Sequence, residues 1–442
     1  MIKTVLSFLL LLVFSGCVSS PQVKPNEKVF EDEDTYILYG LRAEQLNEYN
    51  ASSSIFNTLY VKSDKKEYLY RSLQNNLASS ENSKVVSRVD EIIGDSLEDY
   101  VLVRMKVIAL MQLEKLEEAK MLAIRLVEAT KEVDDYILVS DIYIKQKKFD
   151  TAVKYLESAY TQDYSEVVLD KMAIILYVNL KREKDAIAQL ETHTRMHGCS
   201  KLICLRLAGF YSNENDIDGL LSVYLRLYEI EDTEEVSSKI VQIYGYKKDY
   251  LKLTEFLESG EIDDALLLQL YMNAKNYTKA FPLADKLYAK TGDVSYLGQS
   301  AIYEYESSEK KDKAMLSRVM HKLEKVVKIE QSPLYLNYLG YLLIEHKLNV
   351  KKGIKYVRMA LKSDPKSAFY LDSLAWGYYK LGDCKRAYTL IKKVSKLEGG
   401  DDKEVLFHLK SIKTCFDKMK KKSLKKKSKK KKTTKKKGKE KK

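Results

Sequence analysis

Proline and glycine are scarce, with five and seventeen among 442 residues. That excludes collagen-like, proline-rich and Gly/Ser-linker chains. Glycine is also too sparse for phosphate-cradling loops, and no Walker loop, dinucleotide fingerprint or G-x-S-x-G occurs. Five histidines are present, none with an evident paired nucleophile. After residue 14 no apolar run is long enough to cross a bilayer. What is abundant is ordinary folding material, 45% apolar and 31% charged residues, in a chain longer than one compact core. Tyrosine is plentiful, at 33 against a single tryptophan. The net charge of +13 is not spread evenly. Residues 418–442 hold seventeen lysines and one glutamate, which leaves 59 basic and 62 acidic residues elsewhere. The body is close to neutral and the basic character is one tail.

Residues 1–16 read as a secretory signal, with Lys3 before an apolar stretch at 5–14. Phe14-Ser15-Gly16-Cys17 follows. Small residues ahead of a cysteine resemble the lipobox of bacterial lipoproteins, although Phe14 stands where leucine is usual. The resemblance implies cleavage before Cys17, a diacylglycerol on its thiol and a further acyl chain, such as palmitate, on the new amino terminus. Several chains hold a membrane far more firmly than one. Val18 follows where an aspartate would signal retention, which by resemblance to Gram-negative sorting implies the inner leaflet of the outer membrane, facing the periplasm. The alternative is a plain secretory signal with an incidental cysteine. Residues 17–34, with Pro21 and Pro25, are expected to be a flexible tether.

A ladder of small or apolar residues then runs through Ala51, Val85, Ala119, Ala152, Ala186, Leu220, Leu253, Ala280, Ala314, Gly353 and Ala387, mostly 33 or 34 apart. About nine residues before most of them lies a bulky side chain, such as Leu110, Tyr143, Tyr177, Tyr211, Tyr244, Tyr271 or Tyr378. Apolar positions four and seven residues on, such as Leu156 and Ala159, give helical spacing. The pattern resembles the tetratricopeptide repeat (TPR), best in the unit from Tyr370-Leu371-Asp372 through Ala375-Trp376-Gly377-Tyr378 to Ala387. The resemblance implies an all-α superhelix, or solenoid, of about eleven helical hairpins over 35–396. Its last two units look most like those of bacterial envelope TPR lipoproteins. One hairpin cannot bury its apolar face alone, so neighbours must stack. A short step of 27 predicts truncated helices near Glu258 and Asp264. A long step of 39 predicts an inserted loop at 307–313 or a longer turn at 346–351. Residues 397–417, with Val405, Leu406, Leu409 and Ile412, read as a capping helix, and 418–442 as a disordered lysine tail.

Chemistry is thin. His193 and His197 are one helical turn apart, a spacing that suits a metal, but Thr194 stands where a zincin needs glutamate. Gly94-Asp95-Ser96-Leu97 spells the GDSL hydrolase motif, yet no Asp-x-x-His occurs and a turn between repeats is the plainer reading. A periplasmic hydrolase using Ser96, or a metal at His193 and His197, therefore stands as the second reading. No catalytic residue, metal or cofactor is assigned. In an oxidising compartment Cys384 and Cys415 are a possible disulfide pinning the cap. Cys199 and Cys204 would need a non-helical start to bond. The tail admits three readings: nucleic-acid binding if the signal is unused, contact with an anionic envelope surface, or plain solubilisation. It lacks the aromatics and arginines of base-reading segments.

In the family that the repeats resemble, first-helix side chains contact extended peptides. Carried to this sequence they are Phe369, Asp372, Trp376, Tyr379 and Lys380 in the last unit. In the unit before they are Leu334, Asn337, Tyr341, Ile344 and Glu345. Some of them, Trp376 above all, have an alternative place between repeats. The first reading is thus a non-enzymatic, membrane-anchored TPR scaffold or adaptor lipoprotein of the bacterial periplasm. Its expected partners are other envelope proteins or peptide segments, the membrane through Cys17, and an anionic surface through residues 418–442, with no nucleic acid. Its expected roles are assembly of envelope complexes or delivery of substrates to a periplasmic enzyme.

Overall fold

A computed structural model describes residues 28–437, with side chains as far as Ser423. The signal, Cys17 and the tether up to Glu27 lie outside the described residues, as does the end of the tail from 438. Among the described residues every regular element is a helix.

The helices come in antiparallel pairs. The first unit, Met1–Val236, holds α1 (Glu33–Gln45) with α2 (Tyr49–Ser63), α3 (Lys66–Ala78) with α4 (Asn82–Ile93), and α5 (Tyr100–Gln112) with α6 (Leu116–Thr130). Then come α7 (Val133–Lys145) with α8 (Phe149–Asp163), α9 (Glu166–Ile174) with α10 (Glu183–His197), and α11 (Lys201–Asn213) with α12 (Ile217–Ile230). Helix α9 runs on into a π-helical turn at Ile175–Asn179. Helix α13 (Glu234–Lys247) carries the unit boundary in its first turn. The second unit, Ser237–Lys442, continues with α14 (Tyr250–Gly260), α15 (Asp264–Asn273) with α16 (Tyr277–Thr291), and α17 (Val294–Ser307) with α18 (Lys313–Ile329). It ends with α19 (Pro333–Glu345) and α20 (Val350–Ser363), α21 (Ala368–Lys380) and α22 (Cys384–Val394), and α23 (Lys403–Lys437). Eleven hairpins and a terminal helix make a TPR-like α-solenoid.

One backbone device makes these hairpins. One or two residues past the first helix of every hairpin but α17–α18, the chain turns left-handed: at Asn47, Ser80, Glu114, Lys147, Lys181 and Asn215 in the first unit, and at Lys248, Lys275, Lys347 and Gly382 in the second. The next amide then reaches back to a carbonyl near the end of that helix, as Lys148 N to Tyr143 O at 2.8 Å and Asp383 N to Tyr378 O at 2.9 Å. This is Schellman geometry, which satisfies carbonyls a helix end leaves open. The bulky residues of the sequence pattern supply several of those carbonyls: Leu110, Tyr143, Tyr211, Tyr244, Tyr271 and Tyr378. In the second unit an Asp or Asn then caps each returning helix, as Asp249, Asn276, Asp312, Asn349 and Asp383 do.

The small-residue ladder holds at eight of its eleven rungs. Val85, Ala119, Ala152, Ala186, Leu253, Ala280, Gly353 and Ala387 are buried, but Ala51 and Ala314 face solvent and Leu220 is half-buried. At these three the buried rung is the next residue, Ser52, Met315 and Leu221. The short step corresponds to helices α14 and α15 of only 11 and 10 residues. The long step, from Ala314 to Gly353, is taken up by α18, which has 17 residues, and by the connections 330–332 and 346–349, while the five-residue connection 308–312 lies ahead of it.

Helix α23 packs Val405, His408 and Ile412 against α21 and α22. It begins at Lys403 and continues without a break to Lys437, so the helix does not stop at 417, where disorder was expected to begin. Its packed first turns supply the nucleus, after which each lysine, a good helix former, adds at little cost.

Two glycines test the packing with opposite signs. A Cβ on Gly353 would lie 2.5 Å from the Gly340 carbonyl, whereas one on the exposed Gly209 meets nothing within 4 Å. Gly353→Ala should lower the denaturant midpoint of the second unit, by about 1–3 kcal/mol. Gly209→Ala should raise that of the first by about 0.5–1 kcal/mol. Chemical denaturation followed by circular dichroism reads both.

Candidate protein-interaction surface

The last first-helices of the second unit, α17, α19 and α21, together with α23, gather aromatic rings and acids. Trp376 is the centre. It is 4% exposed and lies between two rings, Tyr379 at 4.7 Å and His408 of α23 at 3.8 Å between centroids. Its indole Nε1–H donates to Glu345 Oε2 at 2.5 Å. Lys380 reaches the same carboxylate at 3.0 Å and sits 4.7 Å from the Trp376 ring. Burial alone would raise the Glu345 pKa, but the Trp376 and Lys380 donors outweigh it and hold the group below its ordinary 4.5. Asp372 is buried, with His408 Nδ1 2.8 Å from its Oδ2. The separation of 36 residues equals that of the Asp170–Arg206 pair between α9 and α11. Helix α23 therefore stands where the first helix of a further hairpin would stand.

A second ring of contacts lies beside this core. Tyr341 donates its hydroxyl to Glu404 of α23, and Tyr338 donates to Glu306 at 2.6 Å. Burial, reinforced by these carboxylates, drives both phenols far above their ordinary range. Tyr305 is pushed up to about 12, chiefly by burial, and its hydroxyl lies 3.0 Å from His346 Nε2. Burial lowers the pKa of both His346 and Lys311, and Lys311 donates to the Tyr305 carbonyl. Counting side chains other than the buried Asp372, three acids (Glu306, Glu345, Glu404) face two lysines (Lys311, Lys380). The surface is aromatic with an acidic excess.

The ten positions carried over from the family divide three ways. Phe369 and Leu334 are exposed, at 57% and 52%. Tyr341, Glu345, Tyr379 and Lys380 are half-buried and line the surface. Asp372, Trp376 and Ile344 are buried structural positions, and Asn337 has an Oδ1 buried without a partner. The sequence reading had no place for Glu404, Phe407 and His408, which α23 supplies. Phe407 is 61% exposed and abuts Trp376 at 6.1 Å. A repeat extended through 397–417 by the spacing of 36 would have put His408 opposite Asp372.

The other candidates go elsewhere. Cys384 and Cys415 are bonded, with Cα atoms 5.7 Å apart, and tie α22 to α23. Cys199 and Cys204 are also bonded, Cα atoms 5.6 Å apart, across the non-helical residues before α11. His193 is buried, with Nδ1 2.8 Å from the Tyr160 hydroxyl and Nε2 3.4 Å from Glu166, while the His197 ring lies tilted against Tyr164, 5.0 Å between centroids. Among the described residues no cluster of three metal-ligating side chains forms. Ser96 lies in the turn after α4, where its hydroxyl accepts the Glu98 amide at 3.1 Å. That is turn chemistry, with no histidine bonded to it among the described residues.

No protein-family model matches the chain. A Drosophila melanogaster protein, the "BBSome complex member BBS4 homolog", is 26% identical over 166 residues, 35% of this chain. The match spans only 34% of that relative's length. Among solved structures, the APC/C hetero-tetramer Cut9–Hcn1 aligns over 87% of this chain and 97% of its own, at TM-score 0.37 and 10% identity. The complex of Naa15/Naa10 bound to HypK-THB aligns over 85% and 65%, at TM-score 0.28 and 13% identity. The helical-hairpin solenoid itself is consistent with a protein-interaction scaffold and with a non-enzymatic role.

Glu345 and His408 can be tested for what they hold together. A carboxylate whose folded pKa lies below 4.5 adds stability above that value and loses it as pH falls through the range beneath. Glu345→Gln should cost about 1.5–3 kcal/mol at pH 7, and the deficit should shrink below pH 4.5. His408→Ala strands the buried Asp372 carboxylate and should cost about 3–5 kcal/mol. Urea titrations of both variants across pH read the two effects.

Proposed function

We propose that this chain is a membrane-anchored scaffold lipoprotein of the bacterial envelope that holds partner proteins on the aromatic surface of its second unit. The supporting observation is the exposed edge of that surface. Phe407 rests on a buried Trp376 platform whose rotamers are fixed by Glu345, Lys380 and His408. A rigid aromatic anchor surrounded by polar groups is what a partner side chain binds most tightly. The acidic excess favours a segment with one apolar anchor and nearby lysine or arginine.

The anchor in this reading is lipid on Cys17, with the solenoid facing the periplasm from the outer membrane. It rests on the apolar stretch at 5–14 followed by Ser15-Gly16-Cys17. The polybasic end of α23 then meets an anionic envelope surface, each lysine near it contributing about 1 kcal/mol. Its tasks are assembly of an envelope complex or delivery of a substrate to a periplasmic enzyme. The Drosophila relative is likewise described as a complex member.

In the native cell, metabolic labelling with an alkyne palmitate should mark the wild type and not Cys17→Ala, which should leave the membrane fraction. A photo-crosslinking residue at 407 should trap a discrete partner, whereas one at 355, on an exposed position of α20, should not. Equal labelling of Cys17→Ala removes the anchor. Identical crosslinks from 407 and 355 remove the binding surface.

A further inference from the structure

The first two hairpins carry a separate groove of about 970 Å³. Helix α3 forms its floor with Leu69 and Leu73, and α2 and α4 form its walls. Serines occupy buried positions where larger side chains would fill the space. Ser53 and Ser72 have hydroxyls 3.1 Å apart, and Ser72 also donates to the Ser53 carbonyl at 2.9 Å. Above them the walls are lined with amides and hydroxyls. Asn50 and Asn57 lie on α2 about 10 Å apart, Asn76 on α3, and Ser83 and Ser87 one turn apart on α4. None of these five side chains bonds to the protein among the described residues.

One further polar atom of the α4 wall, Arg88 Nε, is buried with no hydrogen-bond partner. Buried polar groups are nearly always satisfied, so an orphan donor in the groove wall points to a ligand that completes it. The charges there cancel within the wall, Lys84 with Glu81 at 3.2 Å and Arg88 with Glu91 at 2.9 Å.

We propose that this groove binds a single extended, uncharged polar polypeptide segment, rich in serine, threonine, asparagine or glycine. Each asparagine amide offers a donor and an acceptor side by side, which is the complement of a peptide group. The α2 wall from Asn50 to Val61 is about 16 Å long, the span of about five extended residues. A helical segment has already paired its own backbone and would leave the wall amides unmet. A strongly charged one finds only neutralised partners. A glycan would find no aromatic ring among the lining residues to stack on.

Fluorescence anisotropy on the full chain tests this with three labelled probes: decapeptides of Ser, Thr, Asn and Gly, a decalysine, and a chito-oligosaccharide. The polar decapeptides should bind. The double variant Asn57→Ala/Asn76→Ala should weaken them at least tenfold, and Ser87→Trp should block them. Circular dichroism of both variants should match the parent, and Phe407→Ala should leave this binding unchanged, which separates the groove from the aromatic surface. The proposal is overturned if no polar decapeptide binds, if decalysine or the oligosaccharide binds better, or if both groove variants bind as the parent does.

Discussion

A left-handed residue closing a Schellman turn is the constraint on which the rest of the structure depends. It reverses the chain in three residues, so the two helices of a hairpin leave the turn already antiparallel and in contact. Their apolar faces then point the same way and only a neighbouring hairpin can cover them. Nine of these ten turns use a residue other than glycine, at a backbone cost of about 1–2 kcal/mol each. Each turn returns that cost by closing carbonyls that would otherwise stay open, and by fixing where the next small residue meets the first helix. The hairpin α17–α18 lacks the device and is also the one with a five-residue connection and an overlong second helix.

This explains what was legible. The ladder of small residues could be read because close approach demands small side chains, as at Ala152 or Gly353. It slipped by one at Ala51, Leu220 and Ala314 because at those hairpins the closest neighbour is a serine, a leucine or a methionine, none of which looks like a contact residue. The turn residue keeps the more regular beat, yet it is Asn, Ser, Glu or Lys in most repeats and carries no chemical signature. A backbone requirement met by unrelated side chains leaves no pattern in a sequence, whereas a packing requirement does.

The aromatic surface was half legible for a related reason. Trp376, Tyr379 and Lys380 occupy repeat positions that can be counted from the turn. What decides their roles comes from α23, through His408 and Phe407. The break in small-residue spacing after Ala387 hid that α23 keeps the register of a first helix. The separation of 36 between Asp372 and His408, shared with Asp170 and Arg206, restores it. A pair of opposite charges joining successive first helices is a recurrent tie in this chain. It appears between α5 and α7 as Asp135 with Arg104 and between α7 and α9 as Asp141 with Lys171.

These ties are made with either sign. Helix α7 meets both neighbours with an acid, Asp135 to Arg104 of α5 and Asp141 to Lys171 of α9, whereas α9 uses both signs, Lys171 toward α7 and Asp170 toward Arg206 of α11. At α23 the tie is that of His408 with Asp372 of α21. The disulfide from Cys384 to Cys415 fastens α23 where the packed part of that helix gives way to the lysine-rich part. A load applied to the basic arm would then reach α22 through a covalent bond rather than through side-chain packing alone.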